Sequence, residues 1–131
     1  MKKNLIYILT LSVFVIFSLN LSGCSPKGQT SQEVLDQYFT SAQHQDYATT
    51  YTCYDSEYQK KVAKDEFVKH RSEASVVQSY KILKLDTQKD TAKASVEITF
   101  TASEKFKRTE PVTIKVEENL IKEGTGWKIK V

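Results

Sequence analysis

The sequence predicts an α+β domain in which two or three helices come first and pack on one face of a four-stranded antiparallel sheet. Apolar residues recur at helical spacing between residues 31 and 74, and they alternate with polar residues from residue 76 onward. The links between the alternating segments are short, which favours antiparallel neighbours. Helices and strands that are separated in this way along a chain typically form two packed layers.

Up to three helices are expected in the first half. Ser31 is a good N-cap for the first helix, which should end near His44, and Asp46 and Asp65 can begin the second and third. The apolar residues expected to face the sheet are Val34, Leu35, Tyr38, Phe39 and Ala42, then Tyr47, Ala48, Tyr51 and Tyr54, then Phe67, Val68 and Ala74. Each helix is too short to be stable alone, so each must pack on the sheet.

Four strands are expected in the second half. The first spans Val76–Asp86, where the adjacent apolar residues Ile82 and Leu83 indicate a bulge. The residues of the other three strands expected to face the core are Ala92, Ala94, Val96, Ile98 and Phe100, then Val112, Ile114 and Val116, then Trp127, Ile129 and Val131. Residues 87–90 and 123–126 suit tight hairpins, whereas residues 103–111 form a longer polar link.

The first 24 residues resemble a bacterial lipoprotein signal peptide that ends in a lipobox. A basic start precedes an apolar run of about 15 residues, whereas a permanent membrane span needs roughly 20. Leu21, Ser22 and Gly23 then match the signal peptidase recognition residues, directly before Cys24. The resemblance implies removal of residues 1–23, a diacylglyceryl group on the Cys24 thiol, and an extracytoplasmic protein anchored in membrane lipid. An uncleaved N-terminal helix with an incidental cysteine is the alternative.

Removal of this leader would leave about 108 residues, enough for one domain. Loss of Lys2 and Lys3 would leave 17 of the 19 basic residues against all 16 acidic ones, a net charge near +1. Charges of both signs are mixed along the chain, so no nucleic-acid partner is expected. Residues 24–30 are expected to be a short flexible tether that holds a domain of residues 31–131 close to the membrane.

Cys53 is the second of the two cysteines, and no intramolecular disulfide can form if Cys24 is acylated. Cys53 lies in a helical pattern and is expected to be a small buried hydrophobe. A reactive thiol needs a partner that lowers its pKa, and nothing in the sequence places His44 or His70 beside it. Two separated histidines without clustered ligands predict neither a metal site nor a cofactor.

Two segments carry a second resemblance. The helix pair contains Tyr38-Phe39 and Asp46-Tyr47, and the segment Leu120–Ile129 contains a glycine turn followed by Trp-Lys-Ile. Over residues 31–131 the chain is similar to the cystatin-like fold of the nuclear-transport-factor-2-like superfamily, and in particular to uncharacterised bacterial lipoproteins with that domain. The resemblance implies a curved sheet that forms a cone with the helices. Some superfamily members are ketosteroid isomerases or scytalone dehydratases, and others are interaction modules, so the fold alone does not decide the function.

Glu118 is the candidate for a general base. Alternation that continues from Val112 through Val116 turns Glu118 toward the core, where burial would raise its pKa and suit it to act as a general base. A bulge at residues 117–119 that turns it out to solvent is the favoured alternative. Hydroxyls that could reach the same pocket belong to Tyr38, Tyr51, Tyr54 and Tyr80. Rings that fill the core, with hydroxyls at its rim, are more typical of such tyrosines.

Two functions of different class fit these patterns. The favoured one is a non-enzymatic, membrane-anchored module that binds a protein partner or a small ligand, because the sequence has no catalytic constellation. The alternative is a small-molecule isomerase or dehydratase with Glu118 as base and a tyrosine as electrophile. An open pocket in which Glu118 and a tyrosine hydroxyl converge favours the enzyme, and a filled cone with Glu118 in solvent favours the binding module.

Overall fold

The computed structural model describes residues 28–131, so Cys24 and the lipobox residues Leu21, Ser22 and Gly23 lie outside the described residues. The predicted α+β class is confirmed. The helices of the described part are α1 Ser31–Gln43, α2 Tyr47–Thr52, α3 Ser56–Lys61 and α4 Lys64–Ser72. The strands are β1 Val77–Thr87, β2 Thr91–Phe100, β3 Val112–Glu123 and β4 Gly126–Lys130. They form one antiparallel sheet in the order β1-β2-β3-β4.

Helix α1 is capped by Thr30 rather than by Ser31. The Thr30 hydroxyl accepts from the Glu33 N–H (3.2 Å), and the Glu33 carboxylate accepts from the Thr30 N–H (2.7 Å), which makes a reciprocal capping box. Ser31 is the first helical residue, and its hydroxyl contacts that of Thr87 (2.8 Å). The predicted apolar stripe is buried as a whole: Val34, Leu35, Tyr38, Phe39 and Ala42.

The helical layer has one helix more than the sequence predicted. Helix α3 has no buried residue, so it lacks the apolar periodicity by which a helix is found in a sequence. Asp55 begins it instead: its buried carboxylate accepts from the Tyr58 N–H (2.8 Å). The Asp55 N–H donates to the Ile129 carbonyl (2.9 Å), and the Ile129 N–H donates to the Cys53 carbonyl (2.8 Å). Residues 53–55 therefore tie the helices to β4.

Helix α4 begins at Lys64, and its N-cap, Ala63, supplies no side-chain acceptor. Asp65, the expected cap, lies inside the first turn, where a negative charge still favours the helix N-terminus. Phe67 is the buried residue of this helix. It packs edge-on against the ring of Tyr54, with 5.5 Å between the centroids, and so holds α4 on the helical layer.

The hydrogen-bond ladder between β1 and β2 is irregular, whereas the ladder between β2 and β3 is regular. The β1–β2 register shifts between Ile82 and Lys84, which confirms the bulge expected at Ile82 and Leu83. The β2–β3 register is unbroken from the pair Thr91–Ile121 to the pair Phe100–Val112. Strand β4 pairs only with residues 119–123 of β3, so residues 112–118 of β3 form an edge of the sheet.

Part of the expected tether contacts the domain. A Cβ atom on Gly28 would lie 2.0 Å from the carbonyl oxygen of Thr125, so the backbone at Gly28 passes directly over the β3–β4 turn. Only glycine permits so close an approach of two backbones. Together with the Thr30 cap, this contact extends the packed part of the chain back to residue 28.

Removal of the Asp55 carboxylate should destabilise the domain. Asp55→Ala deletes the α3 cap and should lower the free energy of unfolding by about 1–2 kcal/mol, measured by urea denaturation of the full chain in a neutral detergent. Asp55→Asn retains an acceptor for the Tyr58 N–H and should lose much less. Equal losses in the two variants would contradict a capping role.

Candidate functional site

The inner face of the sheet is set by the β2–β3 pairing. On β2, Ala94, Val96 and Ile98 are buried under the helices. Directly opposed residues of an antiparallel pair point to the same face of the sheet. Their partners on β3 are Glu118, Val116 and Ile114, respectively. Glu118 therefore shares the face that packs on the helices.

Glu118 lies on that inner face because β3 has no bulge. The favoured expectation, a bulge at residues 117–119, is wrong, since Glu117, Glu118 and Asn119 pair in sequence with Ser95, Ala94 and Lys93. The Glu118 side chain is partly buried, and burial raises the pKa of its carboxyl above the ordinary glutamate value. Within residues 28–131 it forms neither a hydrogen bond nor an ion pair.

Two buried tyrosines lie on the helical side of this face. The hydroxyls of Tyr38 and Tyr54 are 2.7 Å apart and hydrogen-bonded to each other. Burial raises the pKa of both hydroxyls, so both are neutral at physiological pH. The negative charge of Glu118 raises the pKa of Tyr38 further.

Arg71 is the cation of this region. It belongs to the last turn of α4, and its guanidinium lies 5.7 Å from the centre of the Tyr47 ring. Its Nε is shielded from solvent and has no acceptor among the described residues. The charge of Arg71 lowers the pKa of Tyr38, opposite to the effect of Glu118. Arg71 and Glu118 thus both act on Tyr38, yet no ion pair joins them.

Arg71 was missed by the sequence analysis because it stands in a polar stretch beside His70. The signal that could have identified it is its spacing. Arg71 follows the buried Phe67 by four residues, and residues four apart lie on the same side of a helix. His70 is exposed, and His44 is the C-cap of α1, near the helix end expected from the sequence.

The structure does not bring Tyr51 and Tyr80 to Glu118. The Tyr51 hydroxyl donates to the carbonyls of Gln59 (3.2 Å) and Val62 (2.7 Å), which anchors α3 to α2. The Tyr80 hydroxyl donates to the Asp36 carboxylate (3.1 Å) at the solvent edge of α1. Of the five candidate pocket residues named from the sequence, Tyr38 and Tyr54 are hydrogen-bonded to each other, and Glu118 shares the inner face of the sheet without a hydrogen bond to either of them.

Beyond Glu118 the inner face is apolar and uncovered. Val112 and Ile114 were expected to face the core, and both lie on the correct face of β3. They are nevertheless 37% and 41% exposed, although Ile98, the partner of Ile114 on β2, is buried. Val112 and Ile114 belong to the free edge of β3, along which β4 does not extend. We call Val112, Ile114, Val116 and Glu118 the bare strip of β3.

Cys53 is a structural residue. It is 1% exposed, and desolvation raises the pKa of its thiol to about 11, so the thiol stays protonated and unreactive near neutral pH. No group of three or more potential metal ligands comes together within residues 28–131. None of the helices in this range is long and apolar enough to cross a bilayer.

Several solved structures have the same arrangement of helices and strands. A SEC-C motif-containing protein from Rhodopseudomonas palustris matches with a TM-score of 0.63 and 11% identity, over 77% of this chain and 75% of its own. A protein from Thiobacillus denitrificans, described as a calcium/calmodulin-dependent protein kinase type II association domain, matches with a TM-score of 0.62 and 13% identity, over 79% and 92%.

The description of a third similar structure refers to the NTF2-like fold. A Campylobacter jejuni protein described as an NTF2-like transpeptidase matches with a TM-score of 0.50 and 18% identity, over 77% of this chain and 98% of its own. Neither a family model nor a curated protein sequence matches the chain. At such low identity the likeness extends to the fold and not to the activity. The described domain has the α+β architecture of the NTF2-like, cystatin-like fold.

Proposed function

We propose that this chain is a membrane-anchored extracytoplasmic lipoprotein whose domain binds a protein partner or a small ligand on the inner face of its sheet, without catalysis. The anchoring part rests on the sequence Leu21-Ser22-Gly23-Cys24 after a short apolar run. The binding part rests on one observation: Glu118 and Arg71 are partly buried charges of opposite sign that no residue of the described chain neutralises.

Unpaired charges of this kind are costly. A buried charge is normally paired or hydrogen-bonded, because removal from water is not otherwise compensated. Glu118 and Arg71 form no ion pair with each other within residues 28–131, although both charges act on the pKa of Tyr38. A ligand with a donor toward Glu118 and an acceptor toward Arg71 recovers both interactions at once. That gain supports a binding role better than a purely structural one.

The bare strip indicates the rest of the ligand. Val112, Ile114 and Val116 continue the inner face away from Glu118, and two of them are exposed to water. Burial of exposed apolar surface contributes roughly 25 cal/mol per Å². The site therefore suits an elongated ligand with a polar group near Glu118 and an apolar body along β3, such as an amphiphile or an extended peptide segment.

The contact at Gly28 supports a particular orientation on the membrane. If Cys24 carries the anchor, only residues 25–27 lie between it and Gly28, and the distance is at most about 14 Å. The β3–β4 turn, on which Gly28 packs, then faces the membrane. The other end of β3, at Val112, lies about 36 Å farther along the strand and points away from the membrane.

A second candidate function is an isomerase- or dehydratase-like activity. The observation that favours it is the raised pKa of Glu118 beside the Tyr38 hydroxyl. A carboxylate of raised pKa is a stronger base, and a neutral tyrosine hydroxyl can donate to a developing oxyanion. Against it, the Tyr38 hydroxyl is already bonded to Tyr54.

Lipidation at Cys24 has a direct test. Globomycin, which inhibits the lipoprotein signal peptidase, should cause a larger precursor to accumulate in producing cells. Cys24→Ser should remove the diacylglyceryl mass and release the protein from the membrane fraction. Gel mobility and mass spectrometry measure both effects. An unchanged precursor size under the drug would refute the lipobox assignment.

Partner binding on the inner face can be tested with two neighbouring residues of β3. A photo-crosslinking amino acid at Ile114 should give adducts in intact cells, whereas the same group at Lys115, on the opposite face of the sheet, should give few. Glu118→Gln should reduce the Ile114 adducts about tenfold, since a lost hydrogen bond to a charged group costs at least about 1.5 kcal/mol. Equal labelling at both positions would contradict the proposal.

The enzymatic alternative predicts proton abstraction from carbon. The full chain should catalyse exchange of the α-protons of a cyclic enone for deuterium in D2O, followed by NMR. The rate should rise with pH through a pKa above the usual glutamate range, because only the ionised carboxylate is a base. Glu118→Gln should abolish the exchange. No exchange above that of buffer would exclude this activity for the probe used.

A further inference from the structure

The link between β2 and β3 is a closed hairpin that presents cations. The N–H of Ser103 donates to the Arg108 carbonyl (3.0 Å), and the N–H of Arg108 donates to the Ser103 carbonyl (2.9 Å). Between them a single 3-10 turn, Glu104–Phe106, precedes Lys107, which has a left-handed backbone (φ 53°). The loop is therefore held in one shape by its own backbone rather than by a packed core.

A cleft opens beside this hairpin. It has a volume of about 590 Å³. Its walls are formed by Ala102, Ser103, Glu104, Lys107, Arg108 and Thr109. The wall therefore offers two cations, two hydroxyl groups and one carboxylate. Glu104 and Lys107 are both exposed, so solvent screens both of their charges, and the wall has one more cation than carboxylate.

Arg108 is fixed in place with one donor unused. Its Nη2 donates to the Ser75 hydroxyl, and its guanidinium carbon lies 5.5 Å from the centre of the Phe106 ring. Its Nε is shielded from solvent and has no acceptor in the described chain. The Nε is closed to an anion as it is to water, but Arg108 lines the cleft, so the charge of its guanidinium acts on an anion bound there.

The two nearby lysines differ in their roles. Lys105 donates to the Glu73 carbonyl (2.7 Å), the C-cap residue of α4, so its charge serves the helix terminus. Lys107 is exposed and makes no side-chain hydrogen bond or ion pair within residues 28–131. Lys107 and Arg108 are thus the cations left to act on the cleft.

We propose that this cleft binds a phosphate group. A tetrahedral anion in the cleft is attracted by the charges of Arg108 and Lys107, and it has oxygens that can accept from the hydroxyls of Ser103 and Thr109. Guanidinium and ammonium groups are the usual protein partners of phosphate. The site is independent of the bare strip, since it is formed by the hairpin alone.

The position of the hairpin favours a soluble or polymeric phosphate over a lipid headgroup. It joins the ends of β2 and β3 that lie farthest from the Gly28 contact. With the anchor proposed above, that end points away from the membrane, beyond the reach of its headgroups. Only this choice of source rests on the proposed anchor; the phosphate site does not.

The test is a titration of the full chain in neutral detergent micelles with inorganic phosphate, followed by amide NMR shifts at residues 103–109. The shifts should saturate, and acetate at equal ionic strength should not reproduce them. Lys107→Asn should weaken binding about tenfold, and asparagine tolerates the left-handed backbone at this position. Arg108→Gln should weaken it at least as much. Lys89→Asn, in the β1–β2 turn at the other end of the sheet, should bind like the unchanged chain.

Each remaining outcome is decisive. Trp127 fluorescence confirms that every variant is folded, so lost binding cannot be assigned to unfolding. Absence of saturable shifts, or equal weakening by Lys89→Asn, would overturn the phosphate site. A response only when the micelles contain phosphatidylglycerol, and none with phosphatidylcholine, would overturn the soluble source and assign the site to lipid. Failure of Cys24 lipidation would leave the phosphate titration unchanged, so the two proposals fail separately.

Discussion

The unbroken register between β2 and β3 determines what each face of this domain does. Because opposed residues share a face, the single alignment of Val96 with Val116 decides that Ala94 and Ile98 pack under the helices and that Glu118 follows them inward. A slip of one residue would bring Glu117 and Lys115 inside and expose the apolar side chains. The regular ladder is therefore the reason that a carboxylate lies on the inner face.

The helical side of the inner face is rich in aromatic rings with hydroxyl groups. Tyr54 is at the centre of the cluster, with Tyr38 edge-on at 5.4 Å, Tyr58 at 4.4 Å and Phe67 edge-on at 5.5 Å. These rings fill the closed end of the cone, and the Tyr38–Tyr54 bond satisfies their buried hydroxyls. The space between the helices and the sheet is thus filled by side chains, whereas the edge of the sheet along β3 is open. The structure therefore matches neither the open pocket expected of an enzyme nor the filled cone with a solvent-exposed Glu118 expected of a binding module.

Much of the fold was predictable because its signals are local. Alternation located all four strands, and the adjacent pair Ile82-Leu83 located the bulge. Helix α3 was not predictable from periodicity, because it has no fully buried residue and is held by the Asp55 cap and the bond from the Tyr51 hydroxyl. The bulge at residues 117–119 was expected because long bent strands often contain one. The strand is regular instead, and simple alternation from Val112 correctly assigns Glu118 to the inner face of the sheet.

The site was less predictable because its properties depend on where the helices end. Alternation assigns Val112, Ile114 and Glu118 to one face, but it does not reveal that Val112 and Ile114 are exposed. Arg71 illustrates the same limit, since its charge matters only because α4 places it within range of Tyr38. Spacing along one element predicts a face, whereas exposure on that face requires knowledge of the packing between elements.

The two ends of the sheet differ in what they can contact. At one end, the backbone of Gly28 lies on the Thr125 carbonyl, so the entering chain itself occupies the surface. At the other end, the uncovered Ile114 and the uncommitted Lys107 face water. The second end is therefore the more open of the two to other molecules. This asymmetry follows from the direction of β3 and from the close backbone approach at a single glycine.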